Sequence, residues 1–235
     1  MTDVIGPGPE MYLKSLFELS SDGDRVQLAA VAARLGVSPV SANEAIHRLA
    51  GRELVDYRRY YGVRLTATGA RVARGLIRRH RLWECFLEAE LGLPWEAVHD
   101  LACQLEHAAP DAVTEALAER LGHPRSCPHG NPIPADQSRA KADVGGFEGT
   151  VTLRDMGEGE TGELVAVHPE TRSALAALAR EGLRPGTAFV VERVGPDGVV
   201  LRLGRGWTSL PRDVVSRMHV RRATSAARAT PGSRR

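Results

Sequence analysis

The stretch from Val26 to Leu49, VQLAAVAARLGVSPVSANEAIHRL, decides the fold. Its Ala-rich first half predicts a helix over 26–35 that ends at Gly36, because glycine readily takes the left-handed conformation found after a helix C-terminus. Ser38 and Pro39 predict the start of a second helix over 38–49, since serine caps helix N-termini and proline fits the first helical position. Two short helices joined by a tight glycine turn are typical of a helix-turn-helix.

The residues that follow predict the wing of a winged helix-turn-helix. The stretch 54–66 alternates, is rich in Tyr, Val and Arg, and has Gly62 at a turn, which is typical of a β-hairpin. In such a fold the second helix enters a major groove and basic wing residues contact phosphates. The residues that we expect to contact DNA are Ser38, Pro39, Ser41, Asn43, Glu44, Arg48, Arg58 and Arg59.

Charge is distributed unevenly along the chain, although the net charge is only +2. Residues 45–81 contain ten arginines and two acidic residues, whereas residues 82–124 contain nine acidic residues and one arginine. The alternative is a pair of solvated helix faces. The sharp alternation favours a nucleic-acid surface next to a segment that attracts cations.

A second informative stretch, VHDLACQLEH over 98–107, contains neither glycine nor proline and predicts a helix. Residues three and four positions apart share a helix face, and one face here carries His99, Cys103, Glu106 and His107. His80 and Glu84 lie four apart on the preceding predicted helix. Mixed nitrogen, oxygen and sulfur donors suit Fe(II), Mn(II), Co(II) or Ni(II) better than Ca(II) or Mg(II). Each residue alone is compatible with a solvated polar position, but the set predicts a metal site.

The remaining chain divides by composition. Thr66 or Thr68 is expected to cap a long helix that reaches about residue 91. Pro94-Trp95-Glu96 is expected to start the helix that carries the donor face, and a further helix is expected over 112–121. A Pro-, Gly- and Ser-rich stretch over 124–146 predicts a loop and linker. Short β-type runs with one inserted helix over 170–181 predict a small β-barrel. The last residues, rich in Ala, Thr, Ser and Arg, predict disorder.

Composition limits the location and the class of the protein. The 235 residues contain no apolar run long enough for a membrane span, and the N-terminus does not resemble a secretory signal. Three cysteines are too few for a disulfide framework and indicate a reducing compartment. We therefore expect a cytoplasmic protein.

Several motifs carry a family resemblance. They are Glu10-Met-Tyr-Leu, His80-Arg-Leu-x-Glu84, Leu91-Gly-Leu-Pro-Trp-Glu-x-Val-His99, Ala102-Cys103-x-x-Glu106-His107 and Gly130-Asn-Pro-Ile-Pro134. In this order and spacing they resemble the diphtheria-toxin-repressor family of iron-dependent repressors and manganese transport regulators. The resemblance implies an α+β chain with a winged helix-turn-helix domain over 1–75 and an all-α metal-binding dimerisation domain over 76–134. It further implies a linker over 135–147, an SH3-like (FeoA-like) β-barrel over 148–222 and a disordered tail over 223–235.

The resemblance also implies two metal sites per subunit. The primary set is Met11, Cys103, Glu106 and His107, and the ancillary set is His80, Glu84 and His99 with Glu170 from the barrel. Ser173 stands where many relatives have glutamine, and His168 is an alternative ligand. Cys127 and His129 depart from the relatives and are interpreted as surface substitutions, although they would be able to add a ligand. Asn43 and Glu44 also differ, which leaves the operator preference open.

The function implied is a metal-dependent transcriptional repressor of metal-uptake genes, with no enzymatic activity and no small-molecule substrate. Fe(II) or Mn(II) would activate a homodimer for binding to palindromic double-stranded DNA operators. The soft donors Met11 and Cys103 favour Fe(II), and Co(II), Ni(II), Zn(II) and Cd(II) are expected surrogates. The alternatives are a metal-independent winged-helix DNA-binding protein and, less favoured, a hydrolase that uses Cys103 with His107 or a metallohydrolase that uses the bound ion.

Overall fold

The computed structural model describes residues 6–20, 23–135 and 147–223, and it divides into two compact units, Met1–Gly146 and Phe147–Arg235. Most of the predicted linker and nearly all of the predicted tail lie outside the described residues.

The first unit contains six helices and one hairpin among its described residues. The helices are α1 (Pro7–Leu19), α2 (Leu28–Leu35), α3 (Pro39–Gly51), α4 (Ala67–Ala89), α5 (Val98–Leu105) and α6 (Asp111–Arg120). Strands β1 (Val55–Arg58) and β2 (Gly62–Leu65) pair antiparallel and form the wing. The predicted winged helix-turn-helix and the helical segment after it are confirmed.

The predicted helix ends rest on identifiable hydrogen bonds. Gly36 after α2 has a φ of 65°, in the left-handed region. The Ser38 hydroxyl accepts a hydrogen bond of 3.0 Å from the Ser41 backbone N–H at the start of α3. Thr66, rather than Thr68, caps α4, because its hydroxyl accepts from the Gly69 backbone N–H at 3.1 Å.

Helix α1 of the DNA-binding domain packs against both α3 and α4. Leu13 and Leu16 of α1 are buried in one apolar cluster with Ile46 and Leu49 of α3. The same helix packs against α4, which also contacts α5 and α6. Polar side chains of α1 that face α4 therefore lie next to the helices that carry the predicted metal donors.

Helix α5 is shorter than the sequence predicts. It begins at Val98 rather than near Pro94, because residues 94–97 form a turn in which the Ala97 N–H donates to the Pro94 carbonyl at 2.9 Å. It ends at Leu105, so the next two residues, predicted to continue the helix face, instead lie in a turn. The predicted donors are nevertheless kept on one side of the chain.

The second unit is a six-stranded antiparallel sheet with short helices. Its elements are β3 (Val151–Thr152), β4 (Thr161–Val167), α7 (Arg172–Arg180), β5 (Ala188–Val194), β6 (Gly198–Leu203), β7 (Gly206–Pro211), α8 (Arg212–Val215) and β8 (Met218–Arg222). The strand order is β3-β8-β4-β5-β6-β7. The sheet domain was predicted, but β7 was not, since its Gly-Trp-Thr-Ser-Leu-Pro sequence is weakly apolar and ends in proline. Among the described residues, no helix has the length and apolar character required to span a membrane.

Candidate metal centre and DNA-binding surface

Polar side chains from two helices and the turn after the second meet in the interior of the first unit. Helix α4 supplies His80 and Glu84, α5 supplies His99 and Cys103, and the turn after α5 supplies Glu106 and His107. His80 is 2% exposed, and Glu84 and Glu106 are fully buried. Charged side chains are almost never buried to this extent unless they are paired or bind metal.

The Glu84 carboxylate is the centre of one group. Its Oε1 atom lies 2.9 Å from His80 Nε2, 3.0 Å from His99 Nδ1 and 3.2 Å from His129 Nδ1. Burial would raise the pKa of Glu84, but the charges and hydrogen bonds of His80 and His129 hold it well below its usual value. Three imidazoles therefore converge on one ionised oxygen.

His129 arrives at this carboxylate from the loop that follows α6. Its Nε2 lies 2.9 Å from the Trp95 backbone carbonyl. A carbonyl only accepts hydrogen bonds, so Nε2 carries a proton and Nδ1 is the ring nitrogen that faces Glu84. Metal-binding histidines commonly donate their other ring N–H to a carbonyl in this way. The Trp95 indole N–H also donates to the Pro128 carbonyl at 2.8 Å, which fixes the loop.

Cys127 and His129 are functional candidates whose position the sequence interpretation missed. The prediction that both are surface substitutions is wrong, because Cys127 is 4% exposed and His129 is fully buried. One ligand atom each from Glu84, Cys127 and His129 lie within 4.8 Å of one another. The signal in the sequence was a thiol and an imidazole two residues apart, and the loop composition concealed their burial.

The second ring nitrogen of His80 faces a second carboxylate. His80 Nδ1 lies 2.5 Å from Glu106 Oε2, and the same oxygen accepts a hydrogen bond of 2.7 Å from Lys14 Nζ. Burial would raise the pKa of Glu106, but the hydrogen bonds and charges of His80 and Lys14 lower it. Burial would likewise lower the pKa of Lys14, but Glu106, with a smaller contribution from Glu18, raises it. Glu106 is thus an ionised carboxylate with two cationic neighbours.

Cys103 is partly exposed and lies next to His99. Its Sγ is 3.9 Å from His99 Nε2. Burial would raise the pKa of this thiol, but hydrogen bonds from His80 and His99 lower it to about 6. One ligand atom each from His80, His99 and Cys103 lie within 4.8 Å of one another. A thiolate at neutral pH beside two imidazoles is a donor set for a transition metal.

The donor chemistry fits a divalent ion. Two carboxylate oxygens, Glu84 Oε2 and Glu106 Oε1, are buried with no hydrogen-bond partner among the described residues. Leaving a charged acceptor buried and unsatisfied is expensive. Since both carboxylates contact imidazole donors, a bound cation is the natural partner for these oxygens.

The structure brings the predicted ligands together in a different grouping. His107 lies 3.5 Å from Glu106 Oε1 through Nε2, and its Nδ1 contacts Glu10 Oε2 of α1 at 2.6 Å. Cys103, predicted in the primary set, lies in one group with His80 and His99, which were predicted in the ancillary set. Two further predicted ligands come from other elements: Met11 follows Glu10 on α1, and Glu170 belongs to the second unit, between β4 and α7. The assignment of these two as ligands stays a prediction.

The predicted DNA-binding residues form an accessible surface. All of them are exposed except Asn43, which is partly exposed. The exposed ones in α3 and its N-cap are Ser38, Pro39, Ser41, Glu44 and Arg48, and those in the wing are Arg58 and Arg59. The wing is anchored by Asp56, whose Oδ2 accepts from Arg25 at 2.5 Å and from Arg64 at 3.1 Å. At the tip the Arg59 guanidinium lies 4.9 Å from the centre of the Tyr60 ring. The surface therefore offers arginines on a fixed hairpin.

Comparison with known proteins supports this description. Three family models match: the iron dependent repressor N-terminal DNA binding domain over residues 6–63, the iron dependent repressor metal binding and dimerisation domain over 66–135, and the FeoA domain over 151–222. The diphtheria toxin repressor of Corynebacterium efficiens is 32% identical over 192 residues, which cover 76% of this chain and 80% of that protein. The chain belongs to the diphtheria toxin repressor family.

Other relatives in the family match over a smaller part of this chain. The diphtheria toxin repressor of Corynebacterium jeikeium is 38% identical over 125 residues, covering 53% of this chain and 52% of that protein. The chain thus spans about half the length of the curated relatives that it matches with the higher identities. Among solved structures, a manganese-dependent transcriptional repressor in complex with manganese superposes with a TM-score of 0.78 at 30% identity, covering 92% of this chain and all of that one.

Proposed function

We propose that this chain is a metal-activated transcriptional repressor that binds palindromic operators of metal-uptake genes as a homodimer when Fe(II) or Mn(II) is bound. One observation carries the proposal. The buried donor cluster contacts α1 of the DNA-binding domain through two ion pairs, Lys14 with Glu106 and His107 with Glu10. The cluster that fits a metal is therefore also the junction between the DNA-binding helices and the helical domain behind them.

The donors divide into two centres that share histidines. The first has Glu84, Cys127 and His129, with Glu170 as a further candidate. The second has Cys103, Glu106 and His107, with Met11 as the candidate from α1. His80 and His99 lie between the centres, because His80 contacts Glu84 through one ring nitrogen and Glu106 through the other. A divalent ion bound at either centre would supply the positive charge that holds carboxylate, imidazole and thiolate from separate elements together.

The orientation of α1 determines the position of α3, the helix that reads DNA. Helix α1 shares its apolar cluster with α3, so a change in how α1 sits on α4 moves the exposed face of α3. In a two-fold dimer the two reading helices must match half-sites about one DNA turn apart, roughly 34 Å. Metal that favours the matched geometry raises the affinity for DNA, and DNA raises the affinity for metal by the same factor. The coupling free energy that corresponds to this factor is typically ~1–3 kcal/mol.

The donor set also bears on the choice of metal. Thiolate and thioether are softer ligands than carboxylate and favour Fe(II) over Mn(II). The matching family models are described as iron dependent, whereas the superposed structure is manganese-dependent. We propose Fe(II) as the preferred activator and Mn(II) as a working substitute.

The test is duplex binding with and without metal. A duplex is selected from a randomised library with Mn(II), and its affinity is then measured by fluorescence anisotropy with Mn(II), with anaerobic Fe(II) and with a chelator. We expect tight binding with either metal and weak, salt-sensitive binding with the chelator. Equal affinity under all conditions would make the chain a metal-independent DNA-binding protein.

A further inference from the structure

Lys14 is an unusual residue for its position. The chain has only two lysines, Lys14 and Lys141, and its other basic side chains are arginines. Lys14 lies in α1 among the apolar residues of that helix, and its side chain is only 7% exposed. A lysine kept inside, in a chain that uses arginine on its surface, calls for a reason specific to a compact ammonium charge.

The ammonium group is directed at the candidate metal centre. Its Nζ lies 2.7 Å from Oε2 of the fully buried Glu106, and His80 Nδ1 contacts the same oxygen. Lys14 is also three residues after Met11, so both side chains lie on neighbouring parts of one helix face. The centre therefore contains a built-in cation on the carboxylate that a metal ion would use.

Two cations on one carboxylate oppose each other. Inside a protein, like charges a few ångströms apart repel far more strongly than in water. Conversely, removal of the ammonium would leave Glu106 buried with a weaker set of partners, which destabilises the fold. The same side chain should thus stabilise the metal-free protein and weaken its affinity for metal.

We propose that Lys14 is an internal cation that competes with the metal ion for Glu106 and thereby sets the metal concentration at which the centre fills. This inference rests on the proposed metal-dependent function and names a further determinant of it. In the metal-free protein Lys14 keeps α1 attached to the turn after α5 through Glu106. A metal ion at Glu106 would share the carboxylate with the Lys14 ammonium, so Lys14 raises the threshold without being a ligand.

The experiment measures metal binding without DNA. Mn(II) affinity of the full chain is determined by competition with a chromophoric chelator for the wild type, Lys14→Met and Lys14→Arg. Methionine keeps the unbranched shape and removes the charge. We expect Lys14→Met to bind Mn(II) at least about tenfold more tightly and to melt at a lower temperature than the wild type in chelator. Lys14→Arg, which keeps the charge, should remain within about threefold of the wild type.

A matched control separates local from general charge effects. Arg120→Met removes one positive charge from a side chain that is 68% exposed and paired with Glu90, and it should leave Mn(II) affinity unchanged. An unchanged or weaker Mn(II) affinity in Lys14→Met overturns the inference, and so does equal tightening in Arg120→Met. Neither result bears on metal-dependent DNA binding, so failure of the inference is distinguishable from failure of the proposed function.

A second measurement keeps the inference testable if Lys14→Met does not fold. With two lysines in the chain, lysine-selective ¹³C labelling gives a readily assigned side-chain spectrum of the wild type. Titration with Zn(II) should shift the Lys14 Cε resonance. A Lys14 resonance that stays unchanged to saturation overturns the inference.

Discussion

Replacing Cys127 with serine tests the centre that the sequence interpretation missed. Cys127 lies within 4.8 Å of donor atoms of Glu84 and His129, so the change removes one of the candidate protein donors. Loss of a partner that merely orients a ligand weakens metal binding roughly 10- to 100-fold. Loss of a direct donor should therefore weaken binding at this centre by about 100-fold or more.

The chain supplies a matched control in Cys85. Both cysteines are buried in one apolar cluster, 8% exposed for Cys85 and 4% for Cys127. Burial, together with Glu84 and Glu88, raises the pKa of Cys85 to about 12, so this thiol stays protonated and is a poor ligand. A serine hydroxyl at either position costs about 1–3 kcal/mol when its hydrogen bonds are not made. Both variants should lose similar stability, and only Cys127→Ser should lose metal.

Cobalt(II) provides the assay, because thiolate coordination gives a sulfur-to-metal absorption band. Anaerobic titration of the wild type should show two bound equivalents and a strong band. Cys127→Ser should lose one equivalent and part of the band, whereas Cys85→Ser should keep both. The reasoning is refuted if Cys127→Ser retains two equivalents with full sulfur absorption, or if Cys85→Ser loses as much as Cys127→Ser.

Three further predictions concern the second centre and the DNA surface. Met11→Ala and Cys103→Ala should abolish the metal response in anisotropy while keeping weak, salt-sensitive DNA binding; a full response in either would contradict the ligand assignment. Metal affinity should rise with pH through neutrality. Burial and the charge of Lys14 oppose protonation of His80, yet Glu84, Cys103 and Glu106 raise its pKa well above its usual value, so a proton must leave before the ring binds metal. Calorimetry in buffers from pH 6 to 8 checks this, and a flat profile would count against it. Arg58→Ala should weaken binding to all duplexes alike and reduce the salt dependence by about one counterion; a change in sequence preference would instead indicate base contact.

Local signals in the sequence predicted most of the DNA-binding domain. Gly36, Ser38 and Thr66 mark helix ends through their own backbone geometry or hydroxyl groups, so their roles do not depend on distant residues. The donor pair His80 and Glu84 was also visible, because one helical turn separates the two residues. Such information is contained within a few positions of the chain.

The parts that were missed depend on contacts far apart in sequence. Cys127 and His129 occur in a loop whose composition predicts exposure, yet both are buried, and Trp95, 34 residues before His129, holds this loop through its backbone carbonyl and its indole. Lys14 and Glu106 are 92 residues apart, and nothing in either local sequence predicts their pairing. The grouping of ligands into centres is therefore a property of the packed helices rather than of any motif.

His80 makes the two centres interdependent. Its Nε2 lies 2.9 Å from Glu84 and its Nδ1 lies 2.5 Å from Glu106. A protonated ring donates to both carboxylates, whereas a neutral ring has one proton and can donate to only one of them. If His80 uses the lone pair of one nitrogen as a ligand at one centre, its remaining N–H must point to the carboxylate of the other. The protonation of a single buried ring thus couples the occupancy of the Glu84 centre to the charge at Glu106. Since Glu106 also holds Lys14 of α1, the same ring connects both centres to the helix that packs against the DNA-reading helix.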